Sequence, residues 1–87
     1  MKVTKTKDLG GGHLIEVGAS TWDEKQMSIR NRYSTVNGGF SPRSPSEIPL
    51  DDISELMVVA ADEDLICAEE LARIMCAVSA SLKRKLA

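Results

Sequence analysis

All six glycines and all three prolines of this chain lie in its first 50 residues, and residues 51–87 contain neither. Glycine costs backbone entropy in regular structure, and proline fixes φ and removes a hydrogen-bond donor. The first portion must therefore be short segments joined by turns, while the second can run as helix. At 87 residues the whole is one domain, with residues 1–50 forming a sheet and 51–87 a helical segment.

The turn-rich portion alternates with a period of two. Residues 26–35 place Met27, Ile29, Asn31 and Tyr33 on one side and Ser28, Arg30, Arg32 and Ser34 on the other. This predicts a strand with its first side toward a core and a cationic side toward water or a ligand. His13 to Thr21 alternates likewise, with Ile15, Val17 and Ala19 together. Alternation is weaker over Val3 to Lys7, which reads as an edge strand or a frayed end. Gly10-Gly11-Gly12 reads as a joint and Trp22-Asp23-Glu24-Lys25 as a hairpin turn. Asn37-Gly38-Gly39 is the strongest hairpin signal, because tight hairpin turns need positive φ. Phe40 to Leu50, broken by Pro42, Pro45 and Pro49, predicts an irregular edge strand.

Ile53, Leu56, Met57, Ala60 and Ala61 then form an apolar stripe at helical spacing, behind a cap at Asp51 or Asp52. Asp62-Glu63-Asp64 interrupts the stripe, which resumes with Cys67, Leu71, Ile74, Met75, Val78 and Leu82. The pattern favours two helices, the second capped by Asp64 and ending in Lys83-Arg84-Lys85 at the negative end of its dipole. The fold class is α+β: a small curved antiparallel sheet of three to four strands followed by one or two helices.

Charge is unevenly spread. The net charge is −2, yet residues 1–45 carry seven basic and four acidic groups, and residues 46–87 four basic and nine acidic. Such asymmetry lets one face meet a polyanion and the acidic helices meet a protein partner. One histidine leaves no histidine-based catalytic or metal cluster, and no serine has a recognisable base beside it. No phosphate loop, calcium loop or cofactor motif occurs, so a non-enzymatic protein without cofactor is expected. Cys67 and Cys76 would point to opposite sides of one helix, and buried thiols in a reducing compartment are expected. No signal peptide or run near the ~20 apolar residues of a membrane span is present, which predicts a soluble intracellular protein.

Arginines interleaved with aromatics on a small sheet suit a single nucleic-acid strand, since guanidinium groups meet phosphates and rings stack on bases. The runs Ile29-Arg30-Asn31-Arg32-Tyr33, Gly38-Gly39-Phe40-Ser41-Pro42-Arg43 and Ile48-Pro49-Leu50 resemble the core of the PC4/Sub1 transcriptional coactivator family. The resemblance covers about residues 26–60. It implies a homodimer of curved sheets that binds single-stranded DNA with little sequence preference. By position it makes Arg30 a backbone contact, Tyr33 a stacking aromatic, Phe40 the hydrophobic position and Arg43 part of a basic stretch. Ser41 stands where lysine is usual, Glu47 where glycine is common, and one basic residue where several occur. Fewer phosphate contacts predict weaker, less salt-sensitive binding.

The expected function is thus binding of single-stranded DNA or RNA in transcription, replication or recombination. Arg30, Arg32, Arg43, Lys5, Lys7 and Lys25 would neutralise phosphates, and Trp22, Phe40 or Tyr33 would stack. The rivals are a ribbon-helix-helix regulator of duplex DNA and a protein-interaction module. Strict alternation sets Tyr33 on the opposite side from Arg30, so their joint use needs a bulge in the strand.

Overall fold

A computed structural model describes residues 1–34 and 46–87. The predicted turn at Asn37-Gly38-Gly39, together with Phe40, Pro42, Arg43 and Pro45, lies outside the described residues. The rest folds as four strands, β1 (Lys2–Gly10), β2 (His13–Ala19), β3 (Met27–Tyr33) and β4 (Glu47–Pro49), then a 3₁₀ turn (Leu50–Asp52) and two helices, α1 (Ile53–Asp62) and α2 (Ala68–Leu86). The strands form one antiparallel sheet in the order β1-β2-β3-β4. This is the α+β plan of sheet first and helices after. Residues fall into two compact units, Met1–Ile53 and Ser54–Ala87.

In the sheet unit, the glycine run is a tight turn. Gly10 pairs with His13, and Gly11 and Gly12 between them have φ of 61° and 80°. Positive φ at both central residues matches strand twist, which makes this hairpin close. The Asp8 carboxylate accepts a hydrogen bond from the Gly10 N–H at 2.8 Å. β1 is a full edge strand of nine residues rather than a frayed end. The second hairpin turns at residues 20–26, as expected, with Ser20 N–H donating to the Gln26 carbonyl and Lys25 N–H to the Asp23 carboxylate. β4 pairs with β3 through Ile48 opposite Ile29. Its Pro49 sits at the sheet edge, where a missing N–H is tolerated.

The β2–β3 register is continuous from His13–Tyr33 to Ala19–Met27. The β1–β2 register slips between Val3 and Lys5. Gly18 lies opposite that slip, and a Cβ there would collide with the Lys2 and Val3 backbone. Gly18 therefore lets β1 come close enough to bulge. The bulge changes which side each lysine takes. Lys2 pairs with Ala19, Lys5 with Val17 and Lys7 with Ile15. All three consequently share one face, although 2, 5 and 7 do not alternate regularly.

In the helical unit, α1 ends in a Schellman motif. Asp64 adopts φ 55°, its N–H donates to the Ala61 carbonyl at 3.1 Å, and the Leu65 N–H donates to the Ala60 carbonyl at 2.9 Å. This corrects the expectation that Asp64 caps the second helix. It closes the first, and Cys67 occupies the α2 N-cap without a side-chain cap bond. Asp51 and Asp52 lie within the 3₁₀ turn rather than at a helix N-cap, where their charges still face the positive dipole end. Cys67 and Cys76 are free and exposed, not buried. No helix among the described residues is long and apolar enough to cross a membrane.

Gly18→Ala should destabilise the protein by about 2 kcal/mol, the scale of forced overpacking. Amide hydrogen exchange should quicken first in β1. An unchanged urea midpoint with unchanged β1 protection would show that Gly18 does not hold the bulge in place.

Candidate nucleic-acid interface

The two faces of the sheet differ in chemistry. Directly opposite residues on paired strands share a face. One face carries Leu14, Glu16 and Gly18 from β2, Ser28, Arg30 and Arg32 from β3, and Glu47 from β4. The other carries Lys2, Lys5 and Lys7 from β1, His13, Ile15, Val17 and Ala19 from β2, Met27, Ile29, Asn31 and Tyr33 from β3, and Ile48 from β4.

The arginines of this face are ion-paired within the sheet. Glu16 accepts from Arg30 Nε at 2.8 Å and lies 3.4 Å from an Arg32 guanidinium nitrogen. The Arg30 and Glu16 side chains are only 11% and 10% exposed. Ser28 is fully buried, while Met27, Asn31 and Tyr33 on the same strand are exposed. The alternation is present, but its more covered side is the polar one. This corrects the expectation that the strand over residues 26–35 turns Arg30 and Arg32 to water or a ligand and its other side to a core. A carboxylate on the neighbouring strand draws the guanidinium groups down onto the sheet.

Glu47 completes this face. It accepts hydrogen bonds from the Thr21 N–H at 3.1 Å, from the Thr21 hydroxyl and from the Ser28 hydroxyl at 3.2 Å, and lies 3.8 Å from the Met1 ammonium group. The Thr21 hydroxyl bond holds its pKa below the ordinary carboxylate value, helped by the Thr21 N–H, the ammonium group and Ser28, against the opposing effect of burial. Glu47 stands where the resemblance has glycine. Here it ties β4 to the end of β2.

The lysine face has the opposite character. Its described positions hold three exposed lysines and no carboxylate. At one end the His13 and Tyr33 rings stack with centroids 4.3 Å apart and planes 16° from parallel. His13 Nε2 also lies 2.8 Å from the Asn31 side-chain oxygen, which fixes the imidazole. Tyr33 remains 45% exposed. Between the rings and the lysine row lie Ile15, Val17, Ile29 and Ile48, all half-buried.

Of the sequence-predicted residues, Lys5, Lys7 and Tyr33 come together on this face, and Arg30 and Arg32 lie on the other. No bulge interrupts β3 against β2, so Arg30 and Tyr33 do not share a side. Trp22 and Lys25 belong to the second hairpin turn. Trp22 is 51% exposed and donates from Nε1 to the Gln26 side chain at 3.1 Å. Lys25 lines a recess of about 320 Å³ with Gln26, Met27, Pro49, Leu50 and Asp51. The sequence assigns neither Lys2 nor His13 to the site: it counts Lys2 among the basic groups and reads His13 as a lone histidine with no catalytic or metal partner. Lys2 needed the bulge to join the row, and His13 needed the Gly11-Gly12 turn and register to meet Tyr33.

Comparison of the chain with protein-family models, with curated proteins and with solved structures gave no match.

The Glu47 geometry sets a pH dependence. A carboxylate whose pKa is lowered on folding stabilises the fold above its ordinary pKa, and this is lost as pH falls through the folded value. Thr21→Val removes the leading cause. Its urea midpoint should drop at pH 7 and converge on that of the unaltered protein at an acid pH below the folded Glu47 value. A constant difference at both pH values would mean Thr21 acts through packing alone.

Proposed function

We propose that the protein binds single-stranded nucleic acid, DNA or RNA, along the lysine face of its sheet, without catalysis. The observation that carries this reading is one face holding Lys2, Lys5 and Lys7, no described carboxylate and an exposed stacked ring. A positively charged track beside aromatic platforms is what a lone polynucleotide needs. The β2 strand spans about 20 Å, enough for a short stretch of backbone to run from the His13–Tyr33 stack along the lysine row. Bases would rest on Tyr33 and on the half-buried aliphatic strip, and phosphates would meet the lysines. Trp22 and Lys25 offer a ring and a charge at the far hairpin.

The similarity of Ile29–Tyr33 and Ile48–Leu50 to the PC4/Sub1 pattern supports the same class of ligand and a role in transcription, replication or recombination. It does not support the same contacts. Arg30 and Arg32 share the single Glu16 carboxylate, so they hold the sheet together and their attraction at a distance is reduced. The ribbon-helix-helix alternative has no support in the pairing of Glu47–Pro49, which is a strand of the four-stranded sheet.

Fluorescence anisotropy with oligo-dT across a salt series tests the face. Lys5→Ala with Lys7→Ala should flatten the dependence of log K on log salt by about 1.4, since each single-strand phosphate contact contributes about 0.7. Tyr33→Ala should weaken binding by about 1–3 kcal/mol, with Tyr33→Phe close to unaltered. An unchanged slope in the lysine variant would move any contact off this face. No salt-dependent binding to any single strand would overturn the function and leave the protein-interaction reading.

A further inference from the structure

Gly10, His13 and Tyr33 form one row across three strands. His13 pairs with Gly10 of β1 on one side and with Tyr33 of β3 on the other. The His13 and Tyr33 rings lie 4.3 Å apart at their centroids and 16° from parallel. That separation is close to the spacing of neighbouring strands, about 4.8 Å, so both rings stand on edge above the sheet with their faces directed across the strands. One face of the imidazole lies on Tyr33, and the other turns toward β1. Its neighbour there is a glycine, and a Cβ at Gly10 would meet nothing within 4 Å beyond the adjoining residues. The ring's rotation is also fixed. His13 Nε2 lies 2.8 Å from the Asn31 side-chain oxygen, which can only accept, so Nε2 carries the hydrogen and donates. The next row on this face holds Lys7, opposite Ile15. It lies two β2 residues away, about 7 Å along the sheet.

We propose that the gap over Gly10 is a nucleobase subsite. One base of a single strand lies against the β1-facing side of His13, Tyr33 backs the imidazole, and the adjoining phosphate meets Lys7. This inference rests on the single-strand reading of the lysine face and names where a base docks on it. Histidine, like the larger aromatics, is a stacking surface for unstacked bases. Lys2, Lys5 and Lys7 all belong to β1, so a backbone that follows them passes on the Gly10 side of His13 rather than beyond Tyr33. A side chain at position 10 would narrow the gap, which makes this glycine part of the subsite as well as of the turn. His13 and Gly10 both lie outside residues 26–60, so the PC4/Sub1 similarity does not supply this site.

The chain has one histidine, so its ring protons give a single assigned set of NMR signals. Oligo-dA should move them upfield, the direction produced by a base lying over the ring. An abasic strand of equal length keeps the phosphates; it should bind the lysines and leave those signals in place. His13→Ala should weaken oligo-dA binding by about 5- to 150-fold, equivalent to one lost base stack, with the salt slope unchanged. His13→Phe should keep the affinity. Gly10→Asn, a residue that tolerates positive φ, should weaken oligo-dA binding and spare the abasic strand. Salt-dependent binding of both strands with the His13 signals unmoved, or moved equally by the abasic strand, would overturn the subsite and leave the lysine track standing. No salt-dependent binding of either strand would overturn the nucleic-acid reading and the subsite with it.

Discussion

The close approach of β1 to β2 at Gly18 governs the surface chemistry of the sheet. Without a side chain at that point, β1 can carry an extra residue between Val3 and Lys5. An extra residue in one strand reverses the face taken by everything before it. Lys2 thereby joins Lys5 and Lys7 instead of facing the Glu16 side. A backbone constraint with no charge of its own thus decides where three charges go. Lysines on an edge strand also discourage pairing with another sheet, so the same placement guards the sheet edge.

The opposite face shows how a sheet with few large side chains can be held. None of the described hydrophobic side chains is buried, while Glu16, Ser20 and Ser28 are, Ser28 completely. Burying charge is tolerable when partners are close, and Glu16 has Arg30 and Arg32 while Glu47 has Thr21, Ser28 and the Met1 ammonium group. Removing one member of such a network leaves an uncompensated group, which costs more than the intact pair contributes. The guanidinium groups on β3 are therefore structural members of the sheet. Their role in holding β2 to β3 limits their use as outward-facing phosphate contacts.

The helical unit depends on a residue outside its usual preference. Asp64, not glycine, takes the left-handed position that closes α1. Asp tolerates this conformation better than most side chains, because its short polar group bonds locally. The chain thus breaks into two helices without a glycine or proline. On α1 and α2 the side chains of Leu56, Val58, Val59, Met75, Val78 and Leu82 are exposed.

The amino-acid sequence alone determined the order of sheet and helices, because breakers end at Pro49 and helical periodicity begins at Ile53. It determined the alternation of β3 and the two-helix division at the acidic run, since side-chain spacing is a local property. It also set Tyr33 and Arg30 on opposite sides of their strand. Only the tertiary structure decided which face of the sheet is electrostatically open. That outcome depends on Glu16 lying across from Arg30, on Gly18 admitting a bulge and on His13 meeting Tyr33, and each of these joins residues at least 14 positions apart. Local pattern shows that two faces exist; cross-strand register decides which charges cancel.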